Sequence, residues 1–366
     1  AGEATFCPLN YTIVNVSQSS GNSIREWVHC EGSYTPLFNS QGYVTGTDKD
    51  ESLIEDMRNY VQGAASRNVL VFFTLWNGAV SITGNEKGLV TDSKKLQSYI
   101  DNVLTPLVSA LKNETGLGGY EIINEPEGSV AISSNSEACF DTTPLDGTGA
   151  GWTGSNIEMK DLQKFVNMQA AAIHKADPKA LVTVGSWSEY SSTDNFGYTD
   201  YWKEECLQKA GGEQQGSLDF RQMHSYAHNG KYDTHAPFEE EASAYGLNKP
   251  LVIGEFASTS SDGRTIQQLY EYAHSNGYSG SWDWDAIGQD GHDNEETANK
   301  GMESLSKYND VHIDIDFTPI PSRCSCSDIP PNNEYTCQQQ AGWGKCSESW
   351  MQGYCCQSCH ACQGCS

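Results

Sequence analysis

The chain has 366 residues, with 22 Lys+Arg against 48 Asp+Glu, a net charge of −26 and a mean hydropathy of −0.55. So acidic a surface repels nucleic acid and anionic membranes, so neither is expected as a partner, whereas a neutral polymer is compatible. No run of 18 or more apolar residues occurs, so no bilayer-spanning helix is expected, and no leader peptide heads the sequence, which fits a mature secreted form.

From about residue 23 to 316, apolar runs of strand length alternate with stretches of helical period. The runs are 23–29, 68–76, 119–126, 180–187, 217–226, 250–257 and 278–284, rich in Val, Ile, Leu, Phe and Trp and mostly without polar alternation. Strands buried on both faces read this way. Between them, Leu53/Met57/Tyr60/Val61/Ala64, Leu96/Ile100/Val103/Leu107/Leu111, Leu162/Phe165/Val166/Ile173 and Ile266/Leu269/Tyr270/Ala273 recur at helical spacing. Strand and helix repeated this often predict a parallel sheet, and a (β/α)8 barrel above all. A doubly wound open sheet is the alternative, but no Gly-rich phosphate loop follows the first strand. Tyr11–Val16 is the candidate eighth strand, yet only residues 17–22 separate it from the next, too few for a parallel crossover. Either it belongs to a helix and the barrel lacks its opening strand, or it closes the barrel irregularly. A barrel left open exposes strand edges, so other chain is expected to cover the gap between the Ser23 strand and the last.

In a parallel barrel the functional groups sit at the carboxyl ends of the strands. Two strands end in an acid: Tyr120-Glu-Ile-Ile-Asn124-Glu125-Pro126 and Leu251-Val-Ile-Gly-Glu255-Phe256. A lone buried carboxylate costs several kcal/mol unless paired, so each Glu either caps or pairs locally or does chemistry. Two carboxyls facing across one mouth are what glycosidic hydrolysis needs, one protonating the leaving oxygen and the other attacking the anomeric carbon. Tryptophans 27, 76, 187, 282 and 284 lie near strand ends, where indoles can stack on the C–H faces of sugars or simply fill the core. Trp76 and Trp282 are the choices for the cleft. Trp284 shares a strand face with Trp282, so those two are not separated by period alone.

The strings Ile123-Asn124-Glu125-Pro126 and Gly254-Glu255-Phe256 resemble glycoside hydrolase family 5. Asn22-Ser-Ile-Arg25-Glu-Trp27-Val-His29, Phe73-Thr-Leu-Trp76-Asn77-Gly78, Val182-Thr-Val-Gly185-Ser-Trp187 and His224-Ser-Tyr226 are similar to its animal endo-β-1,4-mannanases, over about residues 20–316. The resemblance implies Glu125 as acid/base, Glu255 as nucleophile, and supporting or substrate-binding roles for Arg25, His29, Asn124, His224, Tyr226 and Trp282. Physically, Arg25 would keep Glu255 ionised, Asn124 would donate to a sugar hydroxyl, Tyr226 would donate to Glu255, and His224, on the same strand face as Tyr226, would order the network. It also implies mannan and manno-oligosaccharides as partners; no cofactor, no metal at the catalytic site and a monomer are expected. A β-1,4-glucanase stays open, because the carboxylate pair does not report the sugar's C2 configuration; a non-catalytic lectin is the remaining alternative. Cys139 and Cys206 stand where the family has a disulfide, with Cys7–Cys30 a second candidate pair.

Residues 1–317 are thus read as the catalytic barrel and 318–323 as a linker. Residues 324–366 hold nine of the thirteen cysteines and are too small for a self-sufficient core. Cys326 to Cys346, with Tyr335 and Trp343, resemble a family 10 carbohydrate-binding module. The threefold spacing of Cys356, Cys359, Cys362 and Cys365, near His360, also fits zinc. Cysteine density and three sequons, at Asn10, Asn15 and Asn113, point to disulfides and an extracellular location.

Overall fold

The computed structural model describes residues 6–286, 288, 291–317, 330 and 335–348. Seven parallel strands curl in sequence order: β1 Ser23–Cys30, β2 Leu70–Asn77, β3 Leu117–Asn124, β4 Val182–Ser186, β5 Arg221–His224, β6 Leu251–Glu255 and β7 Gly280–Ser281. Every predicted run overlaps one of them, with bounds off by one or two residues at the first three. The β3, β4, β5 and β6 strands are buried along nearly their whole length, which is why their sequences do not alternate.

Helices wrap the outside: α1 Phe6–Gln18, α2 Leu53–Ala65, α3 Gly84–Thr91, α4 Ser93–Tyr99, α5 Thr105–Leu111, α6 Met159–Ala176, α7 Glu204–Gly211, α8 Ile266–Ser275 and α9 Glu295–Ser304. In α6, Leu162, Phe165, Val166 and Ile173 are all buried against the sheet, as their spacing predicts. The single helix expected through Leu96 and Leu111 is α4 and α5 joined by a π-helical segment at Ile100–Leu104. Pro106 explains the break: it has no N–H for the carbonyl one turn back. Thr265 and Gln268 close a reciprocal capping box at the start of α8.

Tyr11–Val16 lies inside α1, which packs on α2, β1 and α9. The first of the two expected alternatives therefore holds, and among the described residues no eighth strand joins β1 to β7. The two edges border a cavity of about 660 Å³. Trp282 reaches across it, donating from Nε1 to Ser23 Oγ at 3.0 Å, while α1, α9 and residues 310–313 line its rim.

The Cys139–Cys206 disulfide forms, tying the loop after β3 to α7. It spans 67 residues, for which the chain-entropy model gives about 4 kcal/mol. The Cys7–Cys30 pair does not form. Cys30 is a free thiol, half-buried, and burial followed by the charge of Glu31 pushes it up to about 11. In the tail a short helix, α10, spans Cys337–Gly342, and both Cys337 and Cys346 are disulfide-bonded. The linker and the cysteines from 355 onward lie outside the described residues.

Candidate active site

Glu125 follows β3 and Glu255 ends β6, both at the carboxyl mouth of the barrel. Glu125 adopts a left-handed backbone (φ 41°, ψ 53°), which costs an L-residue about 1–2 kcal/mol. That kink lets Pro126 start a 3-10 turn and aims the carboxyl inward. Gly78 is needed beside it, since a Cβ there would stand 2.7 Å from Pro126 Cα.

Glu255 sits in a cage of donors. Arg25 Nη1 donates to Oε1 at 2.6 Å and Tyr226 Oη to Oε2 at 3.0 Å. His224 is fully buried, with Nδ1 2.7 Å from Glu125 Oε1 and 3.3 Å from Glu255 Oε2. One atom of each of these three side chains lies within 4.8 Å of the others. The 2.7 Å contact is a hydrogen bond, closer than two atoms bonded to a single tetrahedral ion at about 2.0–2.1 Å would stand.

The two carboxyls are pushed apart in acidity. Burial raises Glu125, Glu255 and Glu127 add repulsion, and His224 recovers only part of it, so the group stands above the usual range. Burial would raise Glu255 too, but His224, Arg25 and Tyr226 outweigh it and hold the group below its ordinary value. His224 itself is raised, because the two carboxylates overcome its desolvation.

Beneath this pair is a polar floor with no signature in the sequence reading. Glu121 accepts from Arg25 Nε at 2.7 Å and Nη2 at 2.6 Å, and from Gln222 Nε2 at 2.8 Å. Arg25 Nη2 also donates to Asn124 Oδ1 at 2.7 Å, while Asn124 Nδ2 donates to Asn77 Oδ1 at 3.1 Å, leaving one amide hydrogen for a ligand. Gly185 makes room for Glu121, whose Oε1 lies 2.5 Å from where a Cβ would stand. Glu121 reads as an isolated exception in an apolar strand, while Gln222 shares its strand with Arg221 and His224 and is not singled out by them.

Six of the nine expected residues therefore converge: Arg25, Asn124, Glu125, His224, Tyr226 and Glu255. Three do not. Trp76 is 0% exposed and sits edge-on to Tyr99 and Phe165, so it is core, not a sugar platform. His29 is buried with it, Nε2 3.0 Å from Tyr99 Oη, and burial depresses it to about 3, so it stays neutral. Trp282 packs on Phe72 and bonds Ser23 at the start of β1, below the mouth. Trp284, whose N–H bonds Phe256 O just past β6, is the indole level with the carboxylates and meets Trp27 edge-on at 5.9 Å.

An aromatic wall rises beside Glu125. Trp187, past the end of β4, stacks on Tyr190 at 5.7 Å and meets Trp152 at 5.9 Å. Trp152 is 44% exposed and anchored by Nε1 to Ala79 O at 2.9 Å.

Residues 4–290 match the family model described as Cellulase (glycosyl hydrolase family 5), and the chain belongs to that family. It is 46% identical over 300 residues to a mannan endo-1,4-beta-mannosidase of Cryptopygus antarcticus, covering 81% of this chain and 78% of that one. A mannan endo-1,4-beta-mannosidase of Mytilus edulis matches at 46% over 286 residues, 77% of each. Among solved structures, the endo-1,4-beta-mannanase of Eisenia fetida superposes with a TM-score of 0.84 at 45% identity, covering 86% of this chain and 89% of that one.

Proposed function

We propose that this chain is a retaining endo-β-1,4-mannanase in which Glu125 is the acid/base and Glu255 the nucleophile. The observation that carries the mechanism is the pair itself: two carboxyls meeting across one barrel mouth, one raised and one lowered in acidity. Oxygens of the two groups within 4.8 Å of one another suit the roughly 5–5.5 Å carboxyl spacing of direct attack. Mannan as substrate is supported by the names of the relatives at 46% identity.

In the reaction, protonated Glu125 gives its proton to the glycosidic oxygen while Glu255 Oε attacks the anomeric carbon. The leaving chain departs and a glycosyl ester on Glu255 remains. Glu125, now a base, takes a proton from water, which displaces the ester with a second inversion. Arg25 and Tyr226 hold Glu255 ionised and oriented, Asn124 offers its free amide hydrogen to the sugar, and Trp284, Trp187 and Trp152 supply apolar faces for neighbouring rings.

The Cys139–Cys206 bond and the bonded Cys337 and Cys346 support an oxidising, extracellular setting. Tyr335 and Trp343, 40% and 54% exposed and 5.0 Å apart edge-on, support a carbohydrate-binding tail. Parallel reducing-sugar assays on mannan, soluble cellulose and xylan test the substrate. Release from mannan alone is expected, reduced by about 10²–10⁴-fold in Glu125→Ala and at least as much in Glu255→Ala. Cleavage of cellulose in preference to mannan, or wild-type rates in either variant, would overturn the reading.

A further inference from the structure

Glu127 stands two residues past Glu125, in the turn Pro126–Ser129, and is fully buried. Burying a carboxylate costs several kcal/mol unless donors surround it. Four do. Its Oε1 accepts from Ser186 Oγ, Ser191 Oγ and Trp202 Nε1, each at 2.7 Å. Its Oε2 accepts from the Trp187 amide at 3.2 Å. The donors come from the end of β4, from the turn Glu189–Ser191 and from the loop before α7. Gly128, next in the turn, lies so close to the Trp152 ring that a Cβ would stand 2.4 Å from it. The turn that begins at the acid/base is therefore clasped from both sides by the aromatic wall.

We propose that Glu127 is a positioning residue, whose buried carboxylate locks the Glu125 turn to the Trp187 wall and so fixes the proton donor relative to the sugar platform. It rests on reading Glu125 as the acid/base. Glu127 is too deeply buried to touch a substrate, and its effect runs through its neighbours. The ionisable groups that act on Glu125 are His224 from β5, Tyr226 beyond it, Glu255 from β6, and Glu127 from its own turn. The negative charge of Glu127 thus also favours the protonated donor, after burial and Glu255.

The isosteric Glu127→Gln removes the charge and turns an amide donor toward either the Trp187 N–H or the Trp202 N–H, neither of which can accept. Its KM for mannohexaose is expected to rise about 3–10-fold, as for loss of a charge-assisted hydrogen bond. Its alkaline limb of kcat/KM should move to lower pH. Ser191→Ala takes away one donor and no charge, so KM should rise about twofold with the limb in place. A merely structural Glu127 would lower the melting temperature and move neither quantity. The proton itself is read without substrate, by the pH titration of the Glu125 carboxyl in protein labelled with ¹³C-glutamate, assigned by its loss in Glu125→Gln. That titration should fall in Glu127→Gln even if mannan proves to be the wrong polymer. A folded Glu127→Gln that titrates like wild type and keeps its KM would overturn the proposal. If Glu127→Gln does not fold, a Ser191→Ala enzyme with unchanged KM overturns it instead.

Discussion

Glu255 meets a guanidinium, an imidazole and a phenol, whereas Glu125 meets one imidazole and two negative charges. His224 is the shared element, drawing both carboxyls down. Replacing it with Asn should therefore raise both. The acid limb of activity, set by protonation of Glu255, and the alkaline limb, set by deprotonation of Glu125, should shift together to higher pH. A pH profile in which the acid limb moves down, or only one limb moves, would contradict this placement of His224. At this scale the reactive residues were legible because each stands at a strand's carboxyl end, where an acid, amide or imidazole interrupts an apolar run. Trp76 and Trp282 pack away from the carboxylates although both stand near strand ends, because a strand-end indole can face in or out and period two does not report depth. Glu127 went unread because an acid two residues past a catalytic one looks like an ordinary surface charge.

The strands were visible as apolar runs because burial on both faces leaves them no polar alternation. The helices α7 and α9 were not, since each buries only two residues and is otherwise polar. The opening helix α1 was legible only as a contradiction, from six residues that could not make a crossover. In the tail, Tyr335 and Trp343 face outward. Deleting residues 323–366 should leave the rate on soluble mannan nearly unchanged and weaken adsorption to insoluble polysaccharide, since a tethered site adds only local concentration. A pull-down in which the truncated enzyme adsorbs as well as the full chain would remove the binding role.

Across the molecule, several buried carboxyls are made weaker acids by their surroundings. Burial pushes Glu26 up to about 7, opposed by its bond from Tyr60, and Glu189 to about 7 as well. Glu86, with Oε1 buried and unpartnered, is pushed by burial and by Glu31 to about 9. A raised carboxyl stabilises the fold below its unfolded pKa and loses that contribution as pH rises through the folded value. Each such group then costs about 1.4 kcal/mol per pH unit between the two. Melting temperature should accordingly be highest near pH 4–5 and fall toward pH 9. Glu86→Gln, neutral throughout, should flatten the fall between pH 7 and 9, and calorimetry showing the same slope in both proteins would rule Glu86 out as a source. The net charge of −26 adds repulsion in the same direction.

The most direct test of the proposed chemistry is the anomeric form of the first product, followed by proton NMR during the opening minutes of mannopentaose hydrolysis. Attack by Glu255 followed by water predicts that the β-anomer appears first and mutarotates to the equilibrium mixture. The α-anomer appearing first would contradict double displacement, and no cleavage of mannopentaose alongside cleavage of cellopentaose would contradict the substrate.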